Sequence, residues 1–189
     1  MIRIGILGNI GSGKSYVAKN FGYPVFNADY EVSKLYKKDK KIFKKLKKKL
    51  PKYISSFPIN KNEITKAILS NKVNLKKIIT IVHLEIRKKL KLFLKKNRNK
   101  KVIILDIPLL LENKINNKDD ILVFVDSKKI EIEKRLKKRL NFNRKLINKF
   151  KKIQFSSSYK KRRSNFIIKN NFKKKSLNKS IKKILNEIL

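Results

Sequence analysis

Gly8-Asn9-Ile10-Gly11-Ser12-Gly13-Lys14-Ser15 decides the fold: a glycine, four residues, then Gly-Lys-Ser. Ahead of it Ile2-Arg3-Ile4-Gly5-Ile6-Leu7 reads as a short, mostly apolar strand, and behind it Val17, Ala18 and Phe21 recur at helical spacing. Strand, glycine loop and helix in that order form the setting of a phosphate cradle. The glycines let backbone N–H groups turn inward, Lys14 reaches the terminal phosphates, and the Ser15 hydroxyl is suited to a magnesium ion. The helix adds the positive end of its dipole to the same place. A dinucleotide fingerprint is excluded, because Gly11-Ser12-Gly13-Lys14-Ser15-Tyr16 lacks its third glycine.

The chain has 189 residues, enough for one sizeable core, and shows no internal repeat. It contains no cysteine and one histidine, His83, so disulfides and cysteine metal sites are excluded. The longest apolar stretch, Val102 to Leu111, is short and broken by Asp106, and Met1 runs straight into the first strand. These features predict a soluble, cytoplasmic protein without a membrane partner. A net charge of +40 points toward nucleic acid, yet the lysines occur in nearly every segment and aromatic residues are not interleaved with them. Lysine, asparagine and isoleucine share adenine- and thymine-rich codons, so base bias accounts for the charge and no specific nucleic-acid partner is expected.

Beyond the first helix, Tyr23-Pro24-Val25-Phe26-Asn27-Ala28-Asp29 reads as a second strand with a polar end. Asp29 then either stands as a base at the carboxyl edge of a parallel sheet or caps the helix that follows. From Tyr30 to about Lys100 the apolar stripes are helical, with Pro51 and Pro58 between them, predicting an insertion beside the sheet. Lys101 to Asp106 is the most apolar strand and fits the centre of a parallel sheet. Asp106 at its end is placed to hold magnesium through water or to orient a substrate. Asp120 to Asp126 is a fourth strand, followed by a charged helix bearing Arg135 and Arg139. Phe142 to Gln154 and Ser157 to Arg163 read as short helices too polar for a core and suited to a mobile cover. Asn165 to Lys169 is a fifth strand, and a last helix carries Leu177, Ile181, Ile184, Leu185 and Ile188 on one face. The expected fold is α/β with a mainly parallel five-stranded sheet: core 1–29, 101–127 and 165–189, helical insertion 30–100, and lid region 128–164.

Several separated stretches together resemble the dephospho-coenzyme A kinase family. Gly8 to Ser15 is similar to its Gly-Gly-Ile-Gly-Ser-Gly-Lys-Ser loop, Asn27-Ala28-Asp29 to its Asp-Ala-Asp, and Asp106-Ile107-Pro108-Leu109-Leu110-Leu111-Glu112 to its Asp-Ile-Pro-Leu-Leu-Phe-Glu. Val82-His83 falls where the family has a His-Pro step opening a helix; Gln154 and Asn165 to Asn171 follow its lid and last strand. The resemblance implies transfer of the ATP γ-phosphoryl group to the ribose 3′-hydroxyl of dephospho-coenzyme A, with Mg2+, in a monomer or small homo-oligomer. It makes Asp29 the base and the helical insertion the coenzyme A domain, with His83 orienting the substrate and Pro108, Leu109 and Leu110 lining the acceptor pocket. It has Gly8, Asn9, Ile10, Gly11, Ser12, Gly13, Lys14, Ser15 and Tyr16 hold the nucleotide, and Arg135 and Arg139 close over it with the lid.

The chain departs from the family pattern at several of these positions. Asn27 replaces an aspartate, Leu84 the proline after histidine, Phe150 an arginine, Asn165 an aspartate and Phe172 a glycine, and Tyr16 stands where threonine is usual. The alternatives are another small-molecule kinase of the same loop type, such as a nucleoside monophosphate kinase, or a basic nucleic-acid-binding module with a vestigial phosphate loop.

Overall fold

The computed structural model describes residues 1–139 and 142–189. Five strands, β1 (Ile2–Gly8), β2 (Val25–Asn27), β3 (Val102–Asp106), β4 (Ile121–Asp126) and β5 (Phe166–Lys169), form one sheet in the order β2-β3-β1-β4-β5. Every pairing is parallel. The helices are α1 (Lys14–Asn20), α2 (Ala28–Lys38), α3 (Lys40–Lys49), α4 (Lys61–Ser70), α5 (Lys72–Lys96), α6 (Lys129–Lys137), α7 (Arg144–Lys152), α8 (Ser157–Arg162) and α9 (Lys174–Ile188). Among the described residues, no helix is long and apolar enough to cross a membrane.

The chain divides into two compact units, one of Met1–Asn27, Asn97–Asn143 and Lys151–Leu189 and one of Ala28–Lys96 with Arg144–Phe150. The first unit is the sheet with its covering helices. Ile4 and Ile6 of β1, Val102 and Ile104 of β3 and Val123 and Val125 of β4 are all essentially inaccessible. They pack with Val17, Ala18 and Phe21 of the α1 region and Leu177, Ile181 and Ile184 of α9. Burial on both faces explains why β3 is a continuous apolar run. β2 is shorter than the apolar stretch that announced it. Only Val25 to Asn27 pair with β3, and the helix begins at Ala28. Asp29 therefore lies in the first turn of α2, where a negative charge suits the helix dipole, and neither ends a strand nor caps a helix.

The second unit is helical, with α2, α3 and α4 each packed on α5. Asp39 caps α3 by accepting from the Ile42 N–H at 3.0 Å, and Asn60 caps α4 by accepting from the Asn62 N–H at 2.8 Å. Residues 144–150 join this unit although the sequence suggested a lid. Lys149 supplies a reason: its ammonium donates to the carbonyls of Ile68 and Leu69 at 2.6 and 3.0 Å, satisfying the C-terminal turn of α4. Residues 140 and 141 of the expected lid region lie outside the described residues. His83 lies within the continuous helical stripe that the sequence predicts, although the family opens a helix at this point. It sits inside the 25-residue α5, which runs on unbroken because Leu84, unlike proline, keeps its backbone N–H.

One buried ion pair ties the start of β1 to the segment entering β4. Arg3 Nε and Nη2 approach Asp120 at 2.8 and 3.1 Å, and the Asp120 side chain is 1% exposed. Asp120 also accepts from the Asn117 N–H at 2.9 Å. Removing one partner strands a charge, so Arg3→Ala should lower the unfolding free energy by about 3 kcal/mol in urea titration.

Candidate active site

The phosphate loop starts where β1 ends and finishes in the first turn of α1. Gly8 and Gly13 have φ of +148° and +90°. At Gly8 a Cβ would lie 2.7 Å from Ser12 Oγ and 2.8 Å from the Val125 carbonyl oxygen. At Gly13 it would lie 2.5 Å from Asn170 Nδ2 and 3.0 Å from the Phe172 ring. Glycine is needed at both points, for backbone conformation and for space. From below, the Ser12 carbonyl accepts from Asn170 Nδ2 and Ser127 Oγ, both at 2.9 Å, which locks the turn to the ends of β4 and β5. The first intrahelical bond of α1 runs from the Val17 N–H to the Gly13 carbonyl. Ahead of it lies the first turn of α1, where the positive end of the helix dipole favours an anion.

Lys14 folds back over the loop, its ammonium donating to the carbonyls of Gly8 at 3.2 Å and Asn9 at 2.9 Å. Ser15 and Tyr16 follow it in α1 and are exposed, whereas Gly11 and Ser12 are buried, with Asn9 and Ile10 half-buried at the bend. A pocket beside the loop is lined by Gly8, Lys14, Ile107, Leu109, Glu112 and Lys160, together with Ile6, Leu7, Leu110 and Gln154. Leu109 and Leu110 line this pocket, whereas Pro108 does not. Leu109 has φ +59°, a conformation costing about 1–3 kcal/mol for a residue with a side chain, of the kind found at ligand-gripping turns.

Asp106 is 3% exposed, and it faces Asn27 in register across β2 and β3. Asn27 Nδ2 donates to Asp106 Oδ2 at 2.6 Å. The amide gives the buried carboxylate a proton donor that an aspartate at position 27 could not supply once ionised. Arg135, on α6, rests its guanidinium 4.1 Å from the centre of the Phe172 ring. Phe172 itself has φ +62°, the left-handed conformation that explains why a glycine suits this position. Arg139 lies two residues past the end of α6 and is exposed. Asp29 and His83 belong to the helical unit, Asp29 exposed at the start of α2 and His83 half-buried on α5. Sequence reasoning gave no site role to Glu112, Gln154, Lys160 or Asn170. Asn170 carried a signal in its place just after the last strand; Lys160 stands among Lys161, Arg162 and Arg163 and carried none.

The family model for dephospho-CoA kinase matches residues 2–176. The chain belongs to the dephospho-CoA kinase family. It is 33% identical to the dephospho-CoA kinase of Wolbachia pipientis wMel, covering 98% of this chain and 97% of that one. It is 32% identical to the dephospho-CoA kinase of Rickettsia felis, covering 98% and 96%. Among solved structures it superposes on TT1252 from Thermus thermophilus with a TM-score of 0.78 at 26% identity, covering 100% of this chain and 98% of that one. Dephospho-CoA kinase from Campylobacter jejuni (TM-score 0.64, 19% identity, covering 98% and 96%) and shikimate kinase from Bacteroides thetaiotaomicron (0.53, 12%, 99% and 98%) share the fold. A dephospho-CoA kinase is a phosphotransferase, so the loop of this chain is that of a kinase.

His83 gives a pH test of its surroundings. Partial burial, with the nearby Arg87 charge adding to it, pushes the imidazole below its ordinary value of 6.5. The unfolded chain then takes up a proton that the folded helix resists, so this residue makes folding less favourable as pH drops below 6.5. In thermal unfolding, the decline in stability between about pH 7 and about pH 5.5 should be shallower in His83→Gln than in the parent protein.

Proposed function

We propose that this chain transfers the γ-phosphoryl group of ATP to the ribose 3′-hydroxyl of dephospho-coenzyme A, completing coenzyme A. Membership of the dephospho-CoA kinase family over residues 2–176 carries this reading. The intact loop, with its positive-φ glycines and Lys14, supports it.

Lys14 moves from the loop carbonyls to the β- and γ-phosphates, exchanging two neutral acceptors for a charged one. Magnesium fits the donors at hand. The exposed Ser15 hydroxyl next to Lys14 would hold it with one oxygen, the remaining ligands being those of ATP and water. When bound, it neutralises charge on the phosphates. Among the described residues no cluster of three acidic or histidine side chains forms a separate metal centre. Asp29 accepts the 3′-hydroxyl proton as the bond to phosphorus forms. A late proton acceptor suffices, because phosphoryl transfer depends chiefly on alignment and charge stabilisation.

Asp106, held by Asn27, orients the acceptor, and Leu109 and Leu110 supply an apolar wall near it. Arg135 leaves the Phe172 ring to close over the phosphates, joined by Arg139, whose planar fork suits phosphate oxygens. The helical unit is the coenzyme A domain, with His83 contacting the substrate as a neutral imidazole. In a coupled assay of ADP release with dephospho-coenzyme A as acceptor, Asp29→Asn should lower kcat by about two to four orders of magnitude. Full activity in that variant would remove Asp29 from the role of base.

A further inference from the structure

Lys160 is the one lysine or arginine among the described residues that is buried, at 3% exposure, in a chain with 53 such residues. Taking an ammonium out of water costs several kcal/mol unless close partners restore its interactions. Here they are distant. Its Nζ is 3.4 Å from Gln154 Oε1 and 3.7 Å from Glu112 Oε1, and that Glu112 oxygen already accepts from the Phe155 N–H at 2.8 Å. Three donors therefore meet two long contacts, and burial accordingly pushes the Lys160 ammonium below the usual lysine range. The side chain is 4% exposed and lines the same pocket as Gly8 and Lys14. Two cations sharing a small pocket repel each other unless an anion lies between them.

The segment that delivers Lys160 is fixed in place. Ser157 Oγ donates to Asn9 Oδ1 at 3.0 Å and accepts from Asn9 Nδ2 at 2.9 Å, joining α8 to the bend of the phosphate loop. Lys161 is paired with Asp126 at the end of β4, 2.7 Å away, and Ser156 caps α8 by accepting from the Tyr159 N–H. The polar composition of this stretch suggested a mobile cover. In the structure α8 is bolted to the loop, and its buried face is a single charge.

We propose that Lys160 is a second phosphate-binding cation of the active site, donating to an oxygen of the ATP γ-phosphoryl group, with Glu112 and Gln154 as positioning residues for its ammonium. The inference rests on the kinase reading above. The terminal phosphate is the one concerned, because the same pocket is lined by Lys14, the loop cation that reaches the terminal phosphates. In the reaction the bond from phosphorus to the ADP oxygen breaks as the bond to the 3′-oxygen forms. The electron pair leaves on ADP and the hydroxyl proton goes to Asp29. Lys160 holds one equatorial oxygen throughout and exchanges no proton.

The test compares Lys160→Met, Lys160→Gln and Lys160→Arg in the full chain, with ATP and ADP affinities measured by calorimetry alongside steady-state kinetics. Loss of a preorganised donor to the transferring group should lower kcat about a hundredfold in the first two variants. ATP should bind more weakly while ADP affinity is retained, and Lys160→Arg should recover part of both losses. Equal weakening of ATP and ADP, or unchanged ATP binding and kcat in either folded variant, would overturn the proposal. If Lys160→Met does not fold, Lys160→Gln carries the same comparison. The ATP-to-ADP affinity ratio needs no acceptor, so it tests Lys160 even if dephospho-coenzyme A proves not to be the substrate. In that event the parent protein would bind ATP and leave dephospho-coenzyme A unphosphorylated.

Discussion

Everything in the sheet unit is arranged around a backbone that must turn with almost no room to spare. Between Gly8 and Gly13 the chain passes within contact distance of the Val125 carbonyl on one side and of Asn170 and Phe172 on the other. The Ser12 carbonyl is held from below by Ser127 and Asn170. The loop cannot relax outward without losing those bonds, nor inward without collision. The turn is consequently held in one shape, and little reorganisation is needed when a phosphate arrives. The parallel sheet supplies the ends of β1, β4 and β5 in register; α1 and α9 bury the face beneath.

Charge in this chain acts through placement more than through its sum. A net charge of +40 spread over the surface is screened within about 10 Å at 0.1 M salt and gives a general attraction for polyanions. Lys14 and Lys160 differ from that background because they line one pocket beside the loop, where the effective dielectric is lower. The carboxylates are equally placed: Asp120 is spent on Arg3, Asp126 on Lys161, Asp106 on Asn27 and Glu112 on Lys160 and the Phe155 backbone.

The sheet was readable because its strands are buried on both faces and so appear as unbroken apolar runs, and the loop because its glycines obey a steric rule. Boundaries set by competition between structures were not. Ala28 and Asp29 extend the second strand on paper, yet the edge strand finds pairing only as far as Asn27 and a helix takes over. In the His83 region the apolar stripe from Leu75 to Leu94 was legible as one helix, and α5 runs through the point where the family has its His-Pro step because Leu84 stands in place of the proline. Lys149 and Lys160 illustrate the limit of composition. In a sequence so rich in lysine, nothing local separates the one that caps α4 or the one buried in the pocket beside the loop from their solvated neighbours. Phe172 is legible only in retrospect: its left-handed backbone fits the family's glycine, and its ring has found Arg135.

What sets this loop apart from those of other kinases is the acceptor it serves. Initial rates of ADP release, measured for the purified full chain with magnesium and ATP against dephospho-coenzyme A, shikimate and a nucleoside monophosphate, test it most directly. Turnover with dephospho-coenzyme A should lie far above that with either of the others, with phosphate appearing on the ribose 3′-oxygen of the product. Turnover with shikimate or the nucleoside monophosphate, and none with dephospho-coenzyme A, would contradict it.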